Sequence, residues 1–138
     1  MTDIQLMEEA KKARKNAYAP YSNFAVGAAL LTEGGALYTG CNIENAAYGP
    51  GNCAERTAFF KAVSEGERSF AKIAIVGGAA GSDPVEMCAP CGICRQVMRE
   101  FCDPESFEIL LQDGKGGVVS FTLGQLFPHG FGPENLGR

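Results

Sequence analysis

The chain has 138 residues, 46% hydrophobic and 20% charged, with 16 acidic against 12 basic side chains and a formal net charge of −4. That length supports one domain, residues 1–138, with a real hydrophobic core, and the composition is ordinary for a soluble globular protein. The acidic balance gives no general attraction to nucleic-acid backbones or anionic membranes, and no run is of signal-peptide or bilayer-spanning type, so no nucleic acid, no membrane and a cytoplasmic location are expected.

Ile4, Leu6, Met7, Ala10, Ala13, Ala17 and Tyr18 recur at helical spacing and predict an amphipathic helix over 3–18, capped by Thr2 or Asp3 and closed by Pro20. Its "KKARK" (11–15) reads as a solvated face. "FAVGAALLT", "EGG" and "ALYTGC" predict a β-hairpin over 24–41. Cys53 opens a second helix to about Ser64, where Ala54, Ala58 and Ala62 form a stripe small enough to lie close to a sheet. "AKIAIVGG" (71–78) has the continuous apolar character of a buried central strand. A third helix starts near Pro90 or Cys91 and runs to about Phe101, and "FEILLQ" (107–112) and "VVSFTL" (118–123) supply two more strands. The order α-β-β-α-β-α-β-β predicts a mixed sheet with helices on its faces.

Six cysteines in a reducing cytosol read better as metal ligands or core packing than as disulfides. In "MCAPCGICRQVM" (87–98), Cys88, Cys91 and Cys94 stand at equal intervals and offer two overlapping C-x-x-C pairs. Pro90 suits the head of a helix, where its missing N–H costs nothing, and a helix N-terminus favours thiolates. Cys91 and Cys94 are therefore the expected ligands, while Cys88 lies in chain held extended by the proline. Cys41, Cys53, Cys102, His129 and the carboxylates compete to complete the site. Cys53 is preferred because "GPGNCAERTAFF" (49–60) again sets a cysteine at a helix head. Cys41 and Cys102 read as core residues, and His129 as an exposed loop residue.

Three thiolates leave one zinc position open, which separates a catalytic from a structural zinc. Glu55 can reach that open side without ligating, and the helix end favours the ionised carboxylate that a general base needs. Three thiolates also make the metal complex net negative, which opposes acidifying a water. Arg56, next to Glu55, is expected to donate to the ligand sulfurs and withdraw charge from them.

"CAE" (53–55) followed by "PCGIC" (90–94) is the signature of zinc-dependent nucleobase deaminases, with cysteine replacing the histidine. With "YSNFAVGAAL" (21–30), "CNIENAAYGPGNCAERTAFFKAVSEG" (41–66), "PCGICRQVMREF" (90–101) and "LFPHGFGPENL" (126–136), the sequence resembles the small homotetrameric cytidine deaminases over nearly its whole length. The resemblance implies a three-layer α/β/α sandwich with a mixed five-stranded sheet and one Zn2+ per chain. It implies hydrolytic deamination of free cytidine and deoxycytidine to uridine and deoxyuridine, in pyrimidine salvage. Cys53, Cys91 and Cys94 are then the zinc ligands, with a zinc-bound hydroxide adding at C4 and Glu55 shuttling protons. Asn42 and Glu44 bind ribose hydroxyls, which their spacing at an extended strand end also supports. Phe24 stacks near the base, Ala54 meets the pyrimidine amide edge through its backbone, and Tyr48 lies in the substrate loop. Phe131 enters the active site of a neighbouring subunit, and Arg56 and Gln96 stand around the sulfurs.

Two other functions compete. A cysteine hydrolase needs a base beside its sulfur, and the one histidine lies in the tail. A structural zinc module needs a fourth ligand, and none comes with matching spacing. Cytosine carried on RNA is disfavoured by the acidic balance, so a free nucleoside is the expected substrate.

Overall fold

The computed structural model describes residues 1–138. Helix α1 (Asp3–Arg14) is followed by strands β1 (Phe24–Thr32) and β2 (Leu37–Cys41), then helix α2 (Ala54–Ser64) and strand β3 (Phe70–Ala79). Helix α3 (Gly92–Phe101), strands β4 (Glu108–Gln112) and β5 (Val118–Thr122), a one-turn helix α4 (Leu123–Leu126) and a 3-10 turn (Pro133–Leu136) complete the chain. The sheet order is β2-β1-β3-β4-β5, with β3–β4 parallel and the other pairs antiparallel. This is the mixed five-stranded sheet expected.

Alternation along the strands builds two cores. Ile73 and Ile75 of β3 face one side with Leu30, Ile109 and Leu111, and α2 and α3 cover them through Ala58, Phe59, Ala62 and Met98. Ala74 and Val76 face the other side with Ala29 and Leu110, covered by Leu6, Met7 and Ala10 of α1. One helix on one face and two on the other give the three layers. Phe59 is the hub of the thicker core: its ring centroid lies 5.0 Å from Phe70 edge-on and 6.4 Å from Phe101, an arrangement favoured by the ring quadrupoles.

Two glycines set the layer spacing. A Cβ at Gly27 of β1 would stand 2.1 Å from the Ala10 carbonyl, and one at Gly40 of β2 would stand 2.4 Å from the Ala54 carbonyl. Bare backbone at these points lets α1 and α2 sit directly on the sheet. For α2 this fixes the depth of the residues at its head.

The first helix is shorter than its apolar periodicity predicts. It stops at Arg14, whose guanidinium donates to the carbonyls of Ala25, Gly78, Ala79 and Ser82, pinning the helix end to the ends of β1 and β3. Tyr18 is not helical but bridges Ile43, because its N–H donates to the Asn42 carbonyl at 2.9 Å. The last strand also ends one residue early. Thr122 forms a reciprocal cap with Gln125, which turns Leu123 into α4.

Candidate metal centre and its surroundings

Cys53 and Cys91 occupy equivalent places. Each is the N-cap of its helix, with extended backbone at φ −79°, ψ 157° and φ −68°, ψ 168°. Cys94 sits in the first turn of α3, so its sulfur is carried to the same end as that of Cys91. The Cys53 and Cys91 sulfurs are 3.8 Å apart and those of Cys91 and Cys94 3.4 Å apart. All three sulfurs lie within 4.8 Å of one another, and no further Cys, His, Asp or Glu joins the group.

This donor set fits zinc. Tetrahedral Zn–S bonds of about 2.3 Å hold sulfurs about 3.8 Å apart, and two helix N-termini turn their partial positive charge toward the thiolates. The pKa of Cys53 is pulled down, first by a hydrogen bond from Cys94 and then by Arg56, whereas that of Cys94 is pushed up by donating to Cys53 and by burial.

Glu55 lies in the first turn of α2 and is only 4% exposed. Burial, foremost, pushes its carboxyl up to about 7, and the Cys53 charge adds to this. Its own backbone N–H, the Cys94 thiol and the Arg56 charge pull the other way. Arg56 donates through Nη2 to the Cys53 sulfur at 3.2 Å, while its Nε is buried without a partner.

Asn42 and Glu44 both fold back onto the segment that leads into β1. Asn42 accepts from the Val26 N–H at 2.9 Å and donates to the Phe24 carbonyl at 2.8 Å. The Glu44 carboxylate accepts from the N–H groups of Tyr21 and Ser22, at 2.9 and 3.1 Å, and from the Ser22 hydroxyl. Those bonds, with Ser22 first, hold its pKa below the ordinary carboxylate value. Asn42, Glu44, Cys53 and Arg56 share the lining of a cleft of about 230 Å³. A neighbouring hollow of about 440 Å³ adds Ser22, Tyr48 and Ile93 to Glu44 and Arg56, with the Tyr48 side chain wholly exposed.

Ala54 is fully buried at the head of α2, and Phe24 is 43% exposed at the start of β1. The Phe24 ring and the Cys88 sulfur both lie against the bare Cα of Gly77. Cys88 is outside the sulfur group; burial, then the Glu55 charge, pushes its thiol up to about 11. Two of the predicted residues meet at the tail. Phe131 is 57% exposed in the tail, and Gln96 reaches that tail, donating to the Phe131 carbonyl at 2.8 Å. Cys102 is buried and Cys41 half-buried, while His129 is exposed at a positive φ of 58°.

Sequence reasoning passed over Ser22 and Gly77. Ser22 lies inside the quoted "YSNF", but nothing in a lone loop serine announces a bond to a carboxylate 22 residues on. The largest cavity, about 570 Å³, lies on the other side, between the end of α1 and residues 80–84. Its Arg14 is already committed to four carbonyls, so the smaller cleft beside the sulfurs is where the chemistry can occur.

Three sulfurs at two helix heads, no protein group as a fourth ligand and a buried carboxylate alongside define a zinc-dependent hydrolase. Residues 1–107 match the family model for the cytidine and deoxycytidylate deaminase zinc-binding region. The chain is 54% identical over 132 residues to the cytidine deaminase of Sporosarcina psychrophila, covering 96% of this chain and 93% of that one. It is 47% identical over 131 residues to the cytidine deaminase of Halalkalibacterium halodurans, covering 95% of each. The crystal structure of cytidine deaminase from Burkholderia pseudomallei superposes with a TM-score of 0.84 at 51% identity, covering 95% of this chain and 100% of that one. The chain belongs to the cytidine and deoxycytidylate deaminase family, as a zinc-dependent deaminase.

Proposed function

We propose that residues 1–138 act as one domain that hydrolyses free cytidine and deoxycytidine to uridine and deoxyuridine, releasing ammonia, as a cytoplasmic enzyme of pyrimidine salvage. The observation that carries this reading is Glu55, buried beside three sulfurs that have no fourth protein ligand. Zinc held by Cys53, Cys91 and Cys94 supplies Lewis acidity that lowers the pKa of a water.

Glu55 takes a proton from the attacking water and delivers it to N3 of cytosine as the oxygen bonds to C4. It next takes the remaining proton from the new C4 hydroxyl and passes it to the exocyclic amino group; the C4–N bond breaks as the C4 oxygen becomes a carbonyl, and ammonia leaves with uridine as the product. A carboxyl whose pKa is pushed up to about 7 can both accept and return protons near neutrality. Arg56 draws charge from the Cys53 sulfur through its hydrogen bond.

Asn42 and Glu44 receive the sugar. A carboxylate offers about four acceptor sites, and three hydrogen bonds are already made to Glu44, so one remains for a ribose hydroxyl. Asn42 keeps one amide hydrogen free. The anionic Glu44 repels a phosphate, which favours the nucleoside over its nucleotide. Phe24 faces the base, the Ala54 backbone meets the pyrimidine amide edge, and Tyr48 borders the substrate loop. Phe131 of each chain completes the site of the next in a homotetramer, a reading supported by its outward exposure.

The test is zinc per chain and cytidine turnover for the wild type and for Glu55→Gln. Zinc retained with turnover lost is the expected result. Undiminished turnover in Glu55→Gln defeats the proton-shuttle assignment.

A further inference from the structure

Helix α3 holds the tail at several points. Arg95 donates to the Leu126 carbonyl at 2.5 Å and lies 5.7 Å from the Phe127 ring centroid. Gln96 donates to the Phe131 carbonyl at 2.8 Å. Arg99 pairs with the Glu134 carboxylate, and its side chain is only 12% exposed. A Cβ at Gly132 would stand 2.3 Å from Arg99 Nη1, and one at Gly130 would stand 2.6 Å from the Phe127 ring. Both glycines thus let the backbone press onto groups held by α3. The Phe131 backbone between them is fixed, while its ring projects outward.

Ordering an apolar ring in advance has value only if something binds it, since a loose side chain loses rotamer freedom on association. Resting on the reading that Phe131 completes a neighbour's site, we propose that Gln96 and Arg99 are positioning residues. They fix the tail backbone so that the Phe131 ring is presented to a second copy of this chain at a set angle. The helix that begins with Cys91 and carries Cys94 in its first turn therefore sets substrate affinity in the adjacent subunit as well as metal binding in its own.

Kinetics of Gln96→Leu, Arg99→Met and Phe131→Ala, each with zinc content and Tm, test this. Phe131→Ala is expected to raise KM for cytidine roughly tenfold, and the two positioning variants about threefold or more, with kcat within about twofold and zinc retained. Glu134→Gln, on the exposed partner of the ion pair, poses the same question without risk to folding, and Arg99→Lys should recover part of the effect. The decisive arm assembles Gln96→Leu with an excess of Glu55→Gln chains. Each Gln96→Leu site then takes its ring from a neighbour whose tail is correctly held, and its KM returns toward wild type. A KM that stays raised in the mixture, or that none of the positioning variants shifts, overturns the proposal. An unchanged KM in Phe131→Ala instead overturns the reading of Phe131 on which the proposal rests.

Discussion

Glu55 and Arg56 are neighbours on α2 with opposite electrostatic tasks. Burial raises the proton affinity of the first toward neutrality, and the second donates a hydrogen bond to a sulfur where negative charge collects. Arg56→Ala should therefore lower turnover tenfold or more, about the size of other losses around metal ligands, while zinc per chain stays near one. Full activity in that variant rejects the charge-withdrawal role. Glu44 gives a separate, pH-dependent test. Its carboxyl is held below the ordinary 4.5 by hydrogen bonds from Ser22 and Tyr21. A depressed folded-state pKa stabilises the fold above the unfolded value, and that contribution is lost as pH falls through the folded value. Urea midpoints should thus fall more steeply with acidification for the wild type than for Glu44→Gln, and Ser22→Ala should move the Glu44 carboxyl resonance midpoint up toward 4.5. Equal acid limbs in the three proteins contradict this. The metal ligands were legible in the sequence because thiolate chemistry needs particular spacings at helix heads. Ser22 was not legible, nor was the bond from Gln96 to the Phe131 carbonyl, because these partners are chosen by tertiary approach and leave no local spacing.

Helices α2 and α3 are delivered to the site by what lies beneath them. Gly40 admits α2 onto β2 with backbone contact, so Gly40→Ala must push away the helix that carries Cys53 and Glu55. A cost of about 1–3 kcal/mol is expected, as for other overpacked contacts, together with weakened zinc retention. Gly27→Ala should destabilise comparably through α1 and leave zinc content unchanged, because α1 covers the opposite face. Thermal melts and metal analysis on both variants separate the effects; zinc loss in Gly27→Ala would contradict the layer assignment. The strands themselves were readable from apolar runs of strand length, whereas their order across the sheet, β2-β1-β3-β4-β5, is set by tertiary pairing. The end of α1 was not readable, since Ala17 and Tyr18 continue the helical pattern, whereas Arg14's bonds to distant carbonyls and the Tyr18 bridge to the Asn42 segment draw the chain out of the helix. The cap that forms α4 was written in the sequence as T-x-x-Q, yet the short apolar run "VVSFTL" obscured it.

At the scale of the whole molecule, the three sulfurs join two helices that otherwise meet mainly through side chains around Phe59. Zinc binds the folded arrangement in preference to the unfolded chain, so it stabilises by mass action. Chelation should lower Tm by several degrees and restoration of zinc should recover it; a Tm indifferent to zinc speaks against the shared site. The two glycines also create a waist. Around Gly27 and Gly40 the protein is helix backbone, sheet backbone and helix backbone, with no intervening side chain on those strands able to rearrange. The far edge of the sheet is less tightly layered, since β5 there is only half-buried and α4 is a single turn. Deuterium should enter amides 118–122 well before amides 54–64, so that on warming the molecule loosens first along its β5 edge.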